Sequence, residues 1–200
     1  MSAESPHLIL ASKSASRRAM LDAAGVSYES IPADIDERAV EAALAGVSPA
    51  DTASALSVAK AAAVAAMHPG ALVLGSDSLV VVEGRRFDKP RSADEAADHL
   101  RFFSGRVMQL HSAAALVRDG GCVWTHASQA RLHVRELSDQ FIAHYLDSEW
   151  PAISHTVGAF RIEGPGVQLF SAIEGDQFTV LGMPLLPLLE ALREEGALIA

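Results

Sequence analysis

The stretch ALVLGSDSLVVV, residues 71–82, is apolar at nearly every position outside a short polar centre. A strand with one face in water alternates apolar and polar residues, whereas a continuous run of Val and Leu indicates burial on both faces. We therefore predict a central strand here, as a pair of apolar segments interrupted at Gly75, Ser76 and Asp77. Asp77 would then follow a buried strand, which is where α/β sheets place their ligands.

Helix signals lie on both sides of this central stretch. Before it, Ser48 and Pro49 suit the cap and the first position of an alanine-rich helix, and after it Ser92 and Glu95 have the spacing of a capping box. Residues 8–25 (LILASKSASRRAMLDAAG) begin as a strand and continue as a helix that ends at Gly25. Alternating strands and helices of this kind predict parallel crossovers.

The second half of the chain has longer strand-like runs. Residues 107–134 read as two strands joined at a turn over residues 119–121, followed by helices within residues 137–150 and 182–196. The glycine-rich segment 158–182 reads as irregular. The predicted fold class is α/β, with a mixed twisted sheet flanked by helices, in one domain over residues 1–200.

Composition limits the partners and the compartment. The chain has 16 Lys and Arg against 25 Asp and Glu, and its net charge of −9 repels a phosphate backbone, so we expect no nucleic-acid partner. We expect no membrane span, because no apolar run approaches about 18 residues. The single cysteine, Cys122, excludes an internal disulfide and suits the cytoplasm, and its apolar neighbours predict a packed side chain.

The loop before the first helix collects hydroxyls and cations. The positive end of a helix dipole disfavours basic side chains by a few tenths to about 1 kcal/mol each, so a bound anion is expected nearby. Phosphate oxygens bind N–H groups, hydroxyls and guanidinium groups. The alternative is a serine-capped helix with solvated arginines. The side chains concerned are Ser12, Lys13, Ser14, Ser16, Arg17 and Arg18.

Two carboxylates could carry specific chemistry. Asp77 could hold Mg²⁺ or accept a proton from water, or it could only cap a turn beside Ser76 and Ser78. Glu163, among glycines in GAFRIEGPG, could accept two hydrogen bonds from the edge of guanine, or it could be an ordinary loop residue. Further candidates, each of which also fits a surface position, are Asp36, Glu37, Lys60 and Lys89.

Seven short motifs, taken in order along nearly the whole chain, resemble the Maf family of nucleotide pyrophosphatases. They are LASKSASRR, DIDE, GSDS, DKP, FFSGR, GAFRIEG and GMPL. The resemblance implies a Maf-like or Ham1-like α/β fold with two lobes around a central cleft, often dimeric, which makes a homodimer a candidate assembly. It also implies hydrolysis of a nucleoside triphosphate to the monophosphate and pyrophosphate with a divalent cation, Mg²⁺ or Mn²⁺.

The resemblance also implies roles for individual residues. Asp77 matches the catalytic aspartate, taken as the proton acceptor, and Asp77 with Glu37 would hold the metal. The other matching catalytic positions are Glu37, Lys60 and Lys89. The implied substrate-binding residues are Ser12, Ser14, Ser16, Arg17, Ser78 and Glu163.

Departures from the family pattern bear on which nucleobase the substrate carries. At GSDS, Glu163 and Met108 the chain resembles the 7-methyl-GTP subgroup more than the dTTP and UTP subgroup, whereas Ser16 matches neither and Ala15 replaces a common proline. A carboxylate suits a cationic methylated guanine, so 7-methyl-GTP is the favoured substrate and dTTP or UTP the alternative. Three other readings are a non-catalytic regulator of septum formation, a Ham1-like inosine or xanthosine triphosphatase, and a phosphatase that releases orthophosphate.

Overall fold

A computed structural model of the protein describes residues 6–44 and 46–199, and the strands and helices below lie within them. The strands are β1 (Leu8–Leu10), β2 (Glu29–Ser30), β3 (Leu72–Val82), β4 (Arg85–Phe87), β5 (Val107–Arg118), β6 (Gly121–Val134) and β7 (Phe170–Glu174). The α-helices are α1 (Ala15–Ala23), α2 (Glu37–Ala42), α3 (Pro49–Ala65), α4 (Ala93–Phe103), α5 (Asp139–Glu149), α6 (Gln177–Val180) and α7 (Leu185–Glu194). Two short 3₁₀ helices span Ala152–His155 and Pro165–Leu169.

The seven strands described form one mixed sheet. Its order is β2-β1-β3-β5-β6-β7, and β4 pairs with β3. The β1–β2 and β1–β3 pairs are parallel, whereas β3–β4 and β6–β7 are antiparallel. Parallel crossovers near the N-terminus and a hairpin in the second half together produce this mixture, and the predicted α/β class with a mixed sheet is confirmed.

The chain divides into two compact units. One comprises residues 6–44, 46–78, 111–128 and 177–199, and the other comprises residues 79–110 and 129–176. The expectation of a single Maf-like domain over residues 1–200 remains a prediction.

The first unit is built as helices on both faces of β1 and β3. Successive side chains of a strand point to opposite faces, and accordingly Leu8 and Leu10 belong to one core cluster with apolar residues of α1 and α7. Ile9 and Val73 belong to a second cluster with apolar residues of α3. The burial on both faces predicted for the central stretch is confirmed, since Leu72, Val73 and Leu74 are fully buried.

The predicted interruption of the central stretch is wrong, because β3 runs unbroken from Leu72 to Val82. Gly75 stands where the backbone of α3 approaches the strand: a Cβ there would collide with the carbonyl O of Ser57 and lie 2.8 Å from the backbone N of Ala61. Ser76 is fully buried, but its hydroxyl donates to the carbonyl O of Ala113 at 2.7 Å. The polar residues are therefore satisfied inside the strand, and Asp77 lies within β3 rather than after it.

Gly75→Ala should destabilise the protein by about 1 to 3 kcal/mol, since the added methyl group meets backbone atoms that a rotamer change cannot move. Urea denaturation of the variant measures the effect. Gly121→Ala is the matched control, because a Cβ at Gly121 would have its nearest neighbour, the carbonyl O of Arg118, at 3.6 Å. Equal stability of the two variants would contradict the close approach of α3 to β3.

Most local helix signals are confirmed. The hydroxyls of Ser48 and Ser92 accept hydrogen bonds from backbone N–H groups at the starts of α3 and α4. The pattern missed α2, for which Asp36 is the N-cap, and the strand β7 within the segment expected to be irregular. Prediction of a packed Cys122 was wrong: the thiol is exposed, because the first residues of β6 face solvent.

Within residues 6–44 and 46–199, no helix combines the length and the apolar character that crossing a bilayer requires.

Candidate active site

Lys60 joins two carboxylates at the centre of the candidate site. Its Nζ lies 2.5 Å from Asp77 Oδ1 and 2.9 Å from Glu37 Oε1. The side chains of Lys60 and Asp77 are only 12% and 10% exposed, whereas that of Glu37 is 50% exposed. A shielded ammonium that binds two carboxylates compensates one of their two negative charges and restricts the rotation of Asp77.

The alternation of side chains along β3 explains how Asp77 meets Lys60. Gly75 and Asp77 share one face of the strand. The close approach of α3 at Gly75 brings Ala61, and with it the neighbouring Lys60, against that face. The side chain of Lys60, whose position on α3 also fits a solvated surface, therefore points to the carboxylate of Asp77.

The opposite face of β3 presents hydroxyls. Ser76 Oγ and Ser78 Oγ each lie 3.1 Å from the carbonyl O of Gly182, within hydrogen-bond distance. Ser78 Oγ also lies 3.0 Å from the hydroxyl of Ser112 on β5. The motif GSDS thus serves two different sets of partners, one on each side of the strand.

Arg17 is held on the hydroxyl side. Its Nε donates to the carbonyl O of Gly182 at 2.9 Å, Nη2 to Ser78 Oγ at 3.1 Å, and Nη1 to Ser12 Oγ at 3.3 Å. Burial lowers the pKa of the Arg17 guanidinium, and the negative charges of Asp77 and Glu37 oppose that shift. An arginine remains charged at neutral pH even so, and this cation lies within electrostatic reach of both carboxylates.

The serines of the first loop have distinct local roles. Ser14 caps α1, accepting from the backbone N of Arg17 at 3.4 Å, and its Oγ lies 3.2 Å from that of Ser16. Ser12 is buried and accepts from the backbone N of Ser14 at 3.2 Å. The alternative drawn from the sequence was a serine-capped helix with solvated arginines. It is correct for the cap at Ser14 but wrong for Arg17, whose guanidinium is bound by protein oxygens.

Two predicted site residues lie in the other unit. Lys89 is exposed on the segment after β4, and Glu163 is exposed on the turn before the 3₁₀ helix Pro165–Leu169. Since they belong to a different unit from Asp77 and Arg17, their participation in the site remains a prediction.

The turn that carries Glu163 is firmly attached to α5. Arg161 donates to both carboxylate oxygens of Glu149, at 2.9 and 3.0 Å, and the hydroxyl of Tyr145 donates to the carbonyl O of Ala159 at 3.1 Å. Burial raises the pKa of the Tyr145 hydroxyl, which therefore remains a donor at neutral pH. Glu163 therefore lies on a turn whose preceding residues, Ala159 and Arg161, are hydrogen-bonded to α5.

The donor set is compatible with a metal that arrives together with a phosphate. In the part of the chain that the structure describes, no group of three or more His, Cys, Asp and Glu is arranged to hold a metal ion. Mg²⁺, however, is usually bound through one or two carboxylates with phosphate oxygens and water. Asp77 and Glu37, which already converge on one cation at Lys60, fit that requirement.

Sequence reasoning missed several contacts of the site. Ser112 and Gly182 bind Ser78 and Arg17, and Asp36 caps α2 instead of joining Glu37. The one available signal for Ser112 was a lone hydroxyl in an apolar strand run. Gly182 acts through its carbonyl, and the one available signal for it was its place at the start of the motif GMPL.

The fold and the cluster define a class: an α/β protein whose site joins carboxylates, a lysine, an arginine and hydroxyls, the groups that bind a phosphorylated ligand and its counter-ion. The family model described as Maf-like protein matches residues 7–195. The chain belongs to this family.

Named relatives cover nearly the whole chain. It is 51% identical to the 7-methyl-GTP pyrophosphatase of Rhizobium meliloti, over 98% of this chain and 99% of that one. It is 48% identical to the nucleoside triphosphate pyrophosphatase of Sphingopyxis alaskensis, over 94% and 97%. Among solved structures, a HAM1 protein from Coxiella burnetii is similar with a TM-score of 0.44 and 18% identity, over 64% of this chain and 73% of that chain.

Proposed function

We propose that the protein is a nucleoside triphosphate pyrophosphatase that cuts the bond between the α and β phosphates. The observation that carries the proposal is the Lys60 ammonium shared by Asp77 and Glu37, within electrostatic reach of the anchored Arg17 guanidinium. The names of the relatives, both pyrophosphatases at 48% identity or more, support it.

In this proposal Asp77 accepts a proton from the attacking water. The water oxygen bonds to the α-phosphorus while the bond from that phosphorus to the bridging oxygen breaks, and pyrophosphate leaves with the bond's electron pair. Lys60 keeps the Asp77 carboxylate in place. Arg17 and the hydroxyls of the first loop bind the phosphates, because fixed donors stabilise the negative charge that develops on the departing oxygens.

Asp77 and Glu37 are the residues that would hold a divalent cation, Mg²⁺ or Mn²⁺, together with phosphate oxygens. When bound, such a cation neutralises phosphate charge and makes water more acidic. Glu37 is half exposed and so can turn from Lys60 toward a ligand. Lys89, predicted at a catalytic position, would add a further cation for the phosphates.

We propose 7-methyl-GTP as the favoured substrate. One relative carries that name, and Glu163 offers a carboxylate that can accept two hydrogen bonds from guanine while its charge attracts the methylated, cationic ring. The alternative within the family is dTTP or UTP, whose edges present a different order of donors and acceptors.

Glu163→Gln should shift base preference away from 7-methyl-GTP, since the neutral amide loses the charge attraction and replaces an acceptor by a donor. We expect a loss of about tenfold or more in kcat/KM for 7-methyl-GTP and a smaller loss for UTP, since a hydrogen bond to a charged group contributes about 1.5 to 3 kcal/mol. Steady-state assays of pyrophosphate release with both nucleotides give the ratio. An unchanged ratio would remove Glu163 from base recognition.

The function itself is tested by a panel of dTTP, UTP, CTP, GTP, ITP and 7-methyl-GTP with Mg²⁺ or Mn²⁺. Release of pyrophosphate and monophosphate, fastest from 7-methyl-GTP, is the expected result. Nucleotide binding without turnover would favour a non-catalytic regulator, and orthophosphate as the first product would indicate a phosphatase. Preference for ITP would indicate the Ham1-like activity.

The setting of the enzyme is also a proposal. A chain with one cysteine and a net charge of −9 suits the cytoplasm and a small-molecule substrate better than nucleic acid. The homodimer rests on the family resemblance, and light scattering during gel filtration tests it.

A further inference from the structure

The carbonyl O of Gly182 lies at the centre of a partly buried hydrogen-bond network. It accepts from Arg17 Nε at 2.9 Å, and the hydroxyl oxygens of Ser76 and Ser78 lie 3.1 Å from it. Gly182 follows α6 and has a φ of +101°, a conformation that side-chain-bearing residues rarely adopt. A Cβ at this position would also lie 3.2 Å from Ser78 Oγ.

Ser112 extends the network to α6. Its hydroxyl is fully buried, donates to the carbonyl O of Thr179 at 2.9 Å, and lies 3.0 Å from Ser78 Oγ. Thr179 Oγ1 in turn lies 2.7 Å from the hydroxyl of Ser128. The hydroxyls of β3 and β5 therefore connect the Arg17 guanidinium to the segment that contains Thr179 and Gly182. Gly182 is 165 residues from Arg17 in sequence.

The network fixes which donors of Arg17 face a ligand. A guanidinium has five N–H groups, and among the described residues hydrogen bonds to protein oxygens occupy three of them, one on each nitrogen. One N–H on Nη1 and one on Nη2 remain, and guanidinium N–H groups are strong donors to phosphate oxygens. Holding the other three prevents rotation of this pair.

We propose that Ser112 and the Gly182 carbonyl are positioning groups that, through Ser78, orient Arg17 for the triphosphate. Ser78 is then a support for Arg17 rather than a direct substrate contact. The inference rests on the proposed function, because the ligand proposed for Arg17 is the phosphate chain of the substrate.

The test is a double-mutant cycle between Ser112 and Arg17, with 7-methyl-GTP as substrate. Ser112→Ala should lower kcat/KM about tenfold in the wild-type background. In an Arg17→Lys background, where the guanidinium is already absent, the same substitution should change kcat/KM less than about twofold. If turnover of Arg17→Lys falls below detection, the cycle is measured on binding instead. Calorimetry then gives the Kd of inorganic pyrophosphate for the wild type, the two single variants and the double variant.

Ser57→Ala is the matched control. Ser57 is fully buried, and its hydroxyl donates to the carbonyl O of Ala53 at 2.7 Å and lies 3.1 Å from that of Ala113, next to Ser112 in sequence. Among the described residues it makes no hydrogen bond to Arg17 or Ser78. We expect it to leave the activity in both backgrounds unchanged. Urea denaturation of every variant separates lost folding from lost positioning.

Equal losses from Ser112→Ala in both backgrounds would overturn the inference, since a general packing defect does not depend on Arg17. No loss in either background would overturn it as well. An inactive wild-type protein that also fails to bind pyrophosphate would instead contradict the proposed function, so the two failures are distinguishable.

Discussion

Asp77→Asn should lower kcat by about 10² to 10⁴-fold while the protein stays folded. The amide has nearly the shape of the carboxylate, but it is not a base at neutral pH and cannot accept the proton of the attacking water. Lys60 keeps its second partner, Glu37, so the local structure retains one ion pair. Steady-state kinetics of pyrophosphate release, with circular dichroism of both proteins, measures the effect.

The control for this substitution is Asp147→Asn, the same chemical change at an exposed position of α5. We expect it to leave kcat unchanged. A kcat for Asp77→Asn near that of the wild type would exclude Asp77 as the proton acceptor, whatever the effect on KM.

Lys60→Met should impair both stability and activity. Removing the ammonium leaves the shielded Asp77 carboxylate without its partner, and breaking a buried pair in this way costs about 3 to 5 kcal/mol. We expect about 2 to 4 kcal/mol here, because Glu37 is half exposed and can turn to water. We expect kcat to fall by about 10²-fold, because Asp77 is then free to leave its reactive orientation. Urea denaturation and steady-state kinetics at pH 7 measure the two effects.

The double variant Lys60→Met, Asp77→Asn distinguishes charge from packing. It should recover much of the stability lost in Lys60→Met, because no uncompensated carboxylate remains on β3. Lys13→Met, at an exposed lysine of the first loop, should leave stability nearly unchanged. A double variant no more stable than Lys60→Met would show that the methylene chain of Lys60, not its charge, stabilises the protein.

Features that depend on a few neighbouring residues could be predicted from the sequence. The caps at Ser48 and Ser92 bind N–H groups three residues ahead, so spacing alone reveals them. The run of Leu and Val in β3 reveals burial on both faces for the same reason.

Contacts between distant segments could not be predicted in this way. The polar centre of β3 was interpreted as a break, because its hydrogen-bond partners, Ala113 and Gly182, lie 37 and 106 residues from Ser76. Lys60 was expected on a solvated face, because an alanine-rich helix gives almost no pattern to tell its two sides apart. The motif resemblance predicted Asp77, Lys60 and Arg17 as residues of one site. Their hydrogen-bond partners could be identified only from the structure.

Hydrolysis in ¹⁸O-labelled water, followed by mass spectrometry of the products, tests the central claim most directly. If water attacks the α-phosphorus, the label appears in the nucleoside monophosphate, and the pyrophosphate is unlabelled. Label in pyrophosphate or in orthophosphate would mean that another phosphorus is attacked, and would contradict the proposed reaction.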